Sequence, residues 1–269
     1  MRTLKFNREG TILTAELREG SGPPVVIVPG VMSDAYTWRP VADALNVNNP
    51  IMVINRRGRL PSGPTGRGYS VRTEIDDLHH ILDTLEEDIH LFGWSYGGLI
   101  ALETATERRN LRSVIAYEPV SSPFGSNALE PLRLALGRGD LDSAVEVVKR
   151  VMAGYSAEYM AALRADPIWP VLRLLVHPLA DELTAINDHV AALSRYSEIT
   201  APVTLMLGER NEEKPPYGVA FTAFSQALPQ AEVVRLANQG HLAHSEAPGL
   251  LAEHLTQAVV KHNDYQHSS

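Results

Sequence analysis

One serine, Ser95, stands in the run HLFGWSYGGLI (His90 to Ile100), boxed by Gly93, Gly97 and Gly98 with apolar residues on either side. Gly93 to Gly97 read G-x-S-x-G, after an apolar strand-like run and before a helix-like one. A sharp strand-to-helix turn of that kind lifts a serine Oγ above the sheet edge at a helix N-terminus. Glycines let strand and helix approach there without Cβ clashes. A hydroxyl is a weak nucleophile, so the chemistry demands a base. Gly240-His241 supplies one, after the last apolar strand pattern and before an amphipathic C-terminal helix. The third requirement is donors for an oxyanion. Val31, after Pro29-Gly30 at an early strand end, and Tyr96, directly after the serine, carry backbone N–H groups expected to face one space. Each piece has a bland reading as a turn. Serine, histidine and donor turn together point to Ser95 as a nucleophile.

Other residues of chemical type carry less. His241 and His244 lie three apart, but no H-E-x-x-H or acidic ligand set accompanies them, so a metal site is not expected. His244 is expected at a helix start, and His79, His80 and His177 as solvated or packed residues. The stretch NRRGRLPSGPTGRG holds Arg56, Arg57, Arg59 and Arg67 without G-x-x-x-x-G-K-[ST]. A structural loop salt-bridged to nearby acids fits it better than a phosphate cradle. Gly66-Arg67-Gly68 lacks the strand spacing of a dinucleotide fold, and Glu86-Glu87-Asp88 reads as a solvated helix end.

Positioning these groups requires a sheet. Leu4–Phe6 and Ile12–Leu17 look like antiparallel strands around a turn at 7–10. PPVVIVPG, IMVINRRG, DIHLFGWS, LRSVIAYEP, APVTLMLGE and AEVVRLAN are apolar runs of buried-strand type. From Ser70, residues Val71, Ile75, Leu78, Leu82 and Leu85 recur at helical spacing, with acids and histidines on the other face. A short helix is expected from near Ala35, and another over Tyr96 to Arg109. Strand–helix alternation predicts an α/β fold, a mostly parallel doubly wound sheet. Between Ser121 and Ile199 the alternation gives way to about four helical patterns, punctuated by Gly154, Pro167, Pro170 and Pro178.

Composition narrows the function classes. The 269 residues carry a net charge of −8 without a basic stretch, so nucleic acid and anionic membrane are poor partners. Cysteine is absent, which removes disulfides and thiolate metal sites. No apolar run approaches the ~18 residues of a membrane span, and the N-terminal run has no signal-peptide pattern. A cytoplasmic protein with a small-molecule substrate and no cofactor is the expectation, and the polar tail KHNDYQHSS is expected to fray.

PGV at 29–31, NRRGRLPSG at 55–63, GWSYGG at 93–98, AYEP at 116–119 and NQGHLAHSEAP at 238–248 resemble the α/β-hydrolase superfamily over nearly the whole chain. INRRGR, YEP and the GQGH-like ending look similar to a group of small, largely actinobacterial-type hydrolases. The resemblance implies an α/β-hydrolase core over 1–120 and 200–269, with a helical cap over 121–199. It also implies acyl transfer through Ser95 and His241. From the residues themselves, Trp38, Trp94, Tyr155, Tyr159 and Trp169 are candidates either for an apolar acyl pocket or for the core, and Met32, Trp94 and Trp169 are the expected substrate-binding residues. One departure matters. Where much of the superfamily holds its triad acid, in a G-x-x-D after the post-cap strand, this chain has Gly208-Glu209-Arg210-Asn211. An amide cannot act as that anion. Glu118, ending the strand SVIAYEP, is the preferred acid, because some members place it there. Glu209, Glu212 and Glu213 remain rivals. An ester, lactone or thioester is the expected bond. C–C hydrolysis, cyclisation of a biosynthetic intermediate and slow-turnover ligand binding stay open.

Overall fold

The computed structural model describes residues 1–191 and 193–263. Of the tail expected to fray, KHNDYQHSS, Lys261 and His262 instead close the last helix, and residues 264–269 lie outside the described residues. Eight strands form one sheet in the order β1-β2-β4-β3-β5-β6-β7-β8. β1 (Arg2–Arg8) and β2 (Thr11–Arg18) form the antiparallel hairpin, and β2 pairs antiparallel with β4 (Ile51–Asn55). β3 (Val25–Val28), β4, β5 (Ile89–Trp94), β6 (Leu111–Tyr117), β7 (Val203–Gly208) and β8 (Glu232–Leu236) run parallel.

The central strands are mostly apolar because both faces are covered. Successive side chains point to opposite faces. Val26, Val28, Leu91, Val114 and Leu205 enter one core, while Val25, Ile27, Phe92, Ile115 and Met206 enter the other. α2 (Val71–Leu82) and α3 (Tyr96–Ala105) pack into the first core. α1 (Arg39–Ala44) and α11 (Pro248–His262) pack into the second.

Three helices depart from the sequence reading. The helix expected near Ala35 begins at Arg39, because Thr37 and Asp34 hold residues 34–37 in a side-chain-bonded turn. α3 stops at Ala105, where the N–H and hydroxyl of Thr106 both turn back to the Glu103 carbonyl. α2 is capped by Ser70 and Thr73 reciprocally, yet its acids are not all on a wet face. Glu74 and Asp77 are buried with Ile75 and Leu78, for a reason that lies in the loop after β4.

Among the described residues between β6 and β7 lie five α-helices: α4 (Ser126–Gly137), α5 (Leu141–Val147), α6 (Ala157–Ala165), α7 (Trp169–Leu175) and α8 (Leu179–Asp188). α5 runs on into a π-helical turn over Val148–Met152, and a 3-10 turn covers Leu193–Glu198. Asn187 ties the insertion to its own entry by bonding both the N–H and the carbonyl of Phe124. α9 (Tyr217–Ala227) and the short α10 (Ala243–Glu246) complete the chain. Among the described residues no helix is long and apolar enough to cross a membrane.

Candidate active site

The turn from β5 into α3 is as tight as its glycines suggest. A Cβ on Gly93 would lie 2.1 Å from the Gly97 oxygen, and one on Gly97 would lie 2.0 Å from the Val28 oxygen. Both positions exclude any other residue. Between them Ser95 takes φ 58° and ψ −121°, a conformation that costs about 1–3 kcal/mol and persists only where its surroundings impose it. They do. The Ser95 N–H donates to the Tyr117 oxygen (3.0 Å), while its carbonyl accepts from Gly98 and Leu99 to start α3. Ser95 is fully buried, and its Oγ has no hydrogen-bond partner among the described residues.

The loop after β3 crosses directly over this serine. A Cβ on Gly30 would fall 2.7 Å from Ser95 Cβ, so glycine is what permits the approach. Val31 follows, nearly buried. Among the described residues neither the Val31 N–H, in the loop after β3, nor the Tyr96 N–H, at the first residue of α3, donates a hydrogen bond. Met32, next in the loop, is half-buried at φ 54° and packs against the first core.

His241 lies between β8 and α10. Its Nδ1 sits 2.6 Å from Glu118 Oε2. A buried carboxylate can only accept, so Nδ1 carries the proton and Nε2 presents a lone pair. The ring stacks on Tyr217 (centroids 3.6 Å apart, 14° between planes) and packs against Trp94 at 4.8 Å. The backbone is held as well. Trp94 Nε1 donates to the His241 carbonyl (2.8 Å), and the Tyr117 hydroxyl donates to the Gly240 carbonyl.

Glu118 ends β6 at φ 44° with no exposed surface. Its Oε1 accepts from the Gly208 N–H at 2.8 Å, and Asn211 Nδ2 reaches both carboxylate oxygens at 2.9 Å. Asn211 stands where the superfamily pattern led one to look for the acid, and it donates instead to the Glu118 carboxylate. The rival glutamates face elsewhere. Glu209 accepts from the Asn238 N–H, Glu212 pairs with Arg235, and Glu213 is exposed.

Two of the expected pocket residues have other surroundings. Trp94 packs beneath the histidines, 4.2 Å from His244 as well as against His241. Trp169 is not brought to the cluster. It is buried within the insertion, its indole N–H donating to Asp142 (2.7 Å) and its ring lying under Arg164. A buried indole must satisfy its N–H, and the partner here belongs to α5. His244 is buried in α10, stacked on Trp38. Its pKa is lowered to about 3 by burial first, then by the charges of His241 and Lys149.

Behind the loop after β3 lies a charge cluster whose extent no local pattern announced. Arg56 donates to the carbonyls of Pro29 and Gly30 (2.8 Å each), to Glu74 (2.8 Å) and to Glu182 of α8 (2.6 Å). Its guanidinium lies 4.8 Å from the Tyr96 ring centroid. Arg59 donates to the Ser33 carbonyl and both Glu182 oxygens, and Arg57 forks onto Asp77. The acids of α2 are buried because these arginines meet them. Burial works against the Glu182 carboxylate, but Arg59 and Arg56 outweigh it and its pKa is lowered. For Glu74 burial wins over Arg56, and the pKa is raised. A salt-bridged loop was the sequence expectation; that the pairs are buried and reach into the insertion was not.

Residues 25–254 match the alpha/beta hydrolase family. The chain is 25% identical over 259 residues to 2-(acetamidomethylene)succinate hydrolase from Mesorhizobium japonicum, covering 92% of each. It is 29% identical over 261 residues to polyketide synthase ThaQ of Burkholderia thailandensis, covering 88% of this chain but 12% of that much longer protein. The crystal structure of an alpha/beta hydrolase from Sphaerobacter thermophilus superposes with a TM-score of 0.77 at 27% identity, covering 92% of this chain and 96% of that one.

Proposed function

The chain belongs to the alpha/beta hydrolase family, and on that premise we propose that it is a serine hydrolase cleaving an ester-like bond of a small molecule. Ester, lactone and thioester share the chemistry. The observation that carries the reading is the 2.6 Å contact between His241 Nδ1 and the buried Glu118; Ser95 itself takes φ 58° on the β5–α3 turn. In the proposed mechanism His241 Nε2 takes the Ser95 proton as Oγ attacks the carbonyl carbon. Glu118 keeps the ring in the useful tautomer and stabilises the imidazolium. The Val31 and Tyr96 N–H groups receive the oxyanion. Collapse of the tetrahedral species passes the proton from His241 to the leaving group, and water activated by the same histidine releases the acid. The core of 1–120 and 200–269 and the cap of 121–199 belong to this reading, with the cap roofing the site.

An acyl–nitrogen bond is the second reading, favoured by the Mesorhizobium relative being a 2-(acetamidomethylene)succinate hydrolase. A fluorophosphonate probe separates either form of acyl transfer from simple ligand binding. It should label one peptide, the one carrying Ser95, and labelling should vanish in Ser95→Ala. Undiminished labelling of that variant would overturn the assignment.

A further inference from the structure

The loop that crosses Ser95 is held by arginines at the carbonyls of Pro29, Gly30 and Ser33. Arg56 donates to the Pro29 oxygen through Nε and to the Gly30 oxygen through Nη2, at 2.8 Å each, and Arg59 donates to the Ser33 oxygen at 2.9 Å. Between these anchors Met32 stands at φ 54°, a conformation that persists in a residue other than glycine only where its surroundings impose it. Both arginines are buried, and each is fixed by a carboxylate: Arg56 by Glu74 and Glu182, Arg59 by Glu182.

The Gly30 contact bears most directly on the serine. The Gly30 carbonyl and the Val31 N–H belong to one peptide unit, which is trans and planar, so they point in opposite directions. A guanidinium on the oxygen therefore fixes where the N–H aims. The same unit lies against the nucleophile turn: a Cβ on Gly30 would fall 2.7 Å from Ser95 Cβ and 2.9 Å from the Trp94 oxygen. A charged donor on the carbonyl also polarises the peptide, which strengthens its N–H as a donor. The guanidinium lies 4.8 Å from the ring centroid of Tyr96, the residue that carries the second expected donor. Glu74 and Glu182 balance the charges of Arg56 and Arg59, so what Arg56 delivers to this loop is direction rather than net charge.

We propose that Arg56 is the positioning residue of the oxyanion hole, holding the Gly30–Val31 peptide so that the Val31 N–H faces the oxygen of the carbonyl attacked by Ser95. The inference rests on the reading of Ser95 as the nucleophile and adds to it a buried residue that acts through one backbone N–H. A donor aimed in advance needs no reorganisation as charge develops, so its misalignment should appear in kcat rather than in KM. Glu182 of α8 bonds the same guanidinium, which makes the insertion a part of that hold.

Arg56→Met alone strands Glu74, so the variant to measure is Arg56→Met with Glu74→Gln, against Glu74→Gln alone; Glu182 keeps Arg59 in both. On 4-nitrophenyl butyrate the double variant should lose kcat on the order of 10- to 100-fold with KM nearly unchanged, short of the roughly 10²–10³ that deleting such a donor costs. Its rate of fluorophosphonate labelling at Ser95 should fall in step, because the phosphonyl oxygen takes the same donors. Arg56→Lys keeps the charge between the two glutamates but replaces the fork with a single nitrogen, and should recover the urea midpoint more than kcat. Arg57→Met breaks a buried pair of the same cluster that has no bond to the loop, and should lower the midpoint while leaving kcat of the folded protein near wild type. A readout without turnover comes from glycine labelled with ¹³C at its carbonyl and valine labelled with ¹⁵N. Gly-Val occurs twice in the chain, at 30–31 and 218–219, and so gives two coupled NMR signals. The 30–31 signal should shift in the double variant relative to Glu74→Gln, while the 218–219 signal stays. That shift, with neither labelling nor hydrolysis in the wild type, sustains the hold on the peptide and counts against the hydrolase reading. An unmoved 30–31 signal, full kcat in either Arg56 variant, or a loss of kcat in Arg57→Met as large as in the double variant overturns the proposal.

Discussion

Glu118 and Glu182 are both carboxylates without exposed surface, and their surroundings are opposite. Glu182 lies between two guanidiniums, 2.6 Å from Arg56 and 2.8 Å from Arg59. Glu118 is held by neutral donors, the Gly208 N–H and the Asn211 amide, with a histidine as its fourth contact. Permanent cations cancel the charge of Glu182, so what it does is join the insertion, through Arg56, to the loop after β3. Amide donors stabilise the Glu118 anion without cancelling it, so its charge stays available to His241. Under the proposed mechanism Asn211 in place of an acid is a working part of the site: a second carboxylate there would repel the first, whereas an amide supports it. The same side-chain type joins elements in one region and, in the proposed mechanism, serves chemistry in the other, according to the charge of its donors.

Glu118→Gln tests that contrast at its strongest. The glutamine oxygen can still accept from Gly208 and Asn211, which turns its NH₂ toward His241 Nδ1. The ring must then accept at Nδ1 and carry its proton on Nε2, the tautomer that cannot act as base. The expected loss is on the order of 10⁴ in kcat, as in the serine-protease acid-to-amide example, or about 5 kcal/mol of transition-state stabilisation. Glu209, Glu212 and Glu213 changed to Gln should cost far less. Adding Asn211→Asp to Glu118→Gln restores a carboxylate among the same partners and should recover part of kcat. Steady-state rates on a 4-nitrophenyl ester decide it. Near-full activity in Glu118→Gln, with one loop glutamate indispensable, would sink the assignment.

Glu182→Gln should behave the other way round. It strands two buried guanidiniums, and Arg59 keeps only the Ser33 carbonyl and a neutral amide. Breaking a buried pair from one side costs about 3–5 kcal/mol of stability, so the urea midpoint should fall sharply. Turnover by the folded fraction should drop by much less than in Glu118→Gln, since Arg56 retains Glu74 and the carbonyls of Pro29 and Gly30. Loss of turnover with an unchanged midpoint would erase the distinction between the two carboxylates.

What could be read in the sequence follows the same division. The Ser95 turn was legible because its constraints are local. Gly93 and Gly97 are forced by backbone contacts within the motif and with the neighbouring strand, and the apolar strand runs announce a sheet covered on both faces. His241 was legible through its place after the last strand. Glu118 was reachable only through the resemblance, since nothing adjacent distinguishes it. Tyr217 on His241, and Glu182 with the arginines after β4, were out of reach because they join elements far apart in the chain. Spacing in α2 placed the apolar face correctly and misassigned Glu74 and Asp77. Periodicity treats a charged residue as solvated unless its counter-charge is known to arrive from elsewhere.

His244 extends the comparison to a buried ionisable group with no partner, and it carries the smallest expected effect. Its Nδ1 makes no hydrogen bond among the described residues, and its ring is stacked on Trp38. With neither cation nor amide to settle its charge, it stays neutral, its pKa lowered to about 3 by burial and then by the charges of His241 and Lys149. The sign follows from proton counting. Below the unfolded histidine value of about 6.5 the unfolded chain binds a proton that the folded one refuses until about pH 3. Stability is thus fully present above about pH 6.5 and is lost as pH falls, by about 1.4 kcal/mol per pH unit for one proton. His90, with its pKa lowered to about 4 chiefly by burial, adds a loss of the same sign, so the wild-type slope alone does not isolate His244. Comparison with His244→Phe does, because His90 is common to both proteins. Between pH 6.5 and 5.5 the variant should lose about 1 kcal/mol less stability than the wild type in urea denaturation. Equal losses in the two proteins would mean that His244 is already paired and titrating normally in the fold. It would then belong with Glu118, among groups whose charge the site can use.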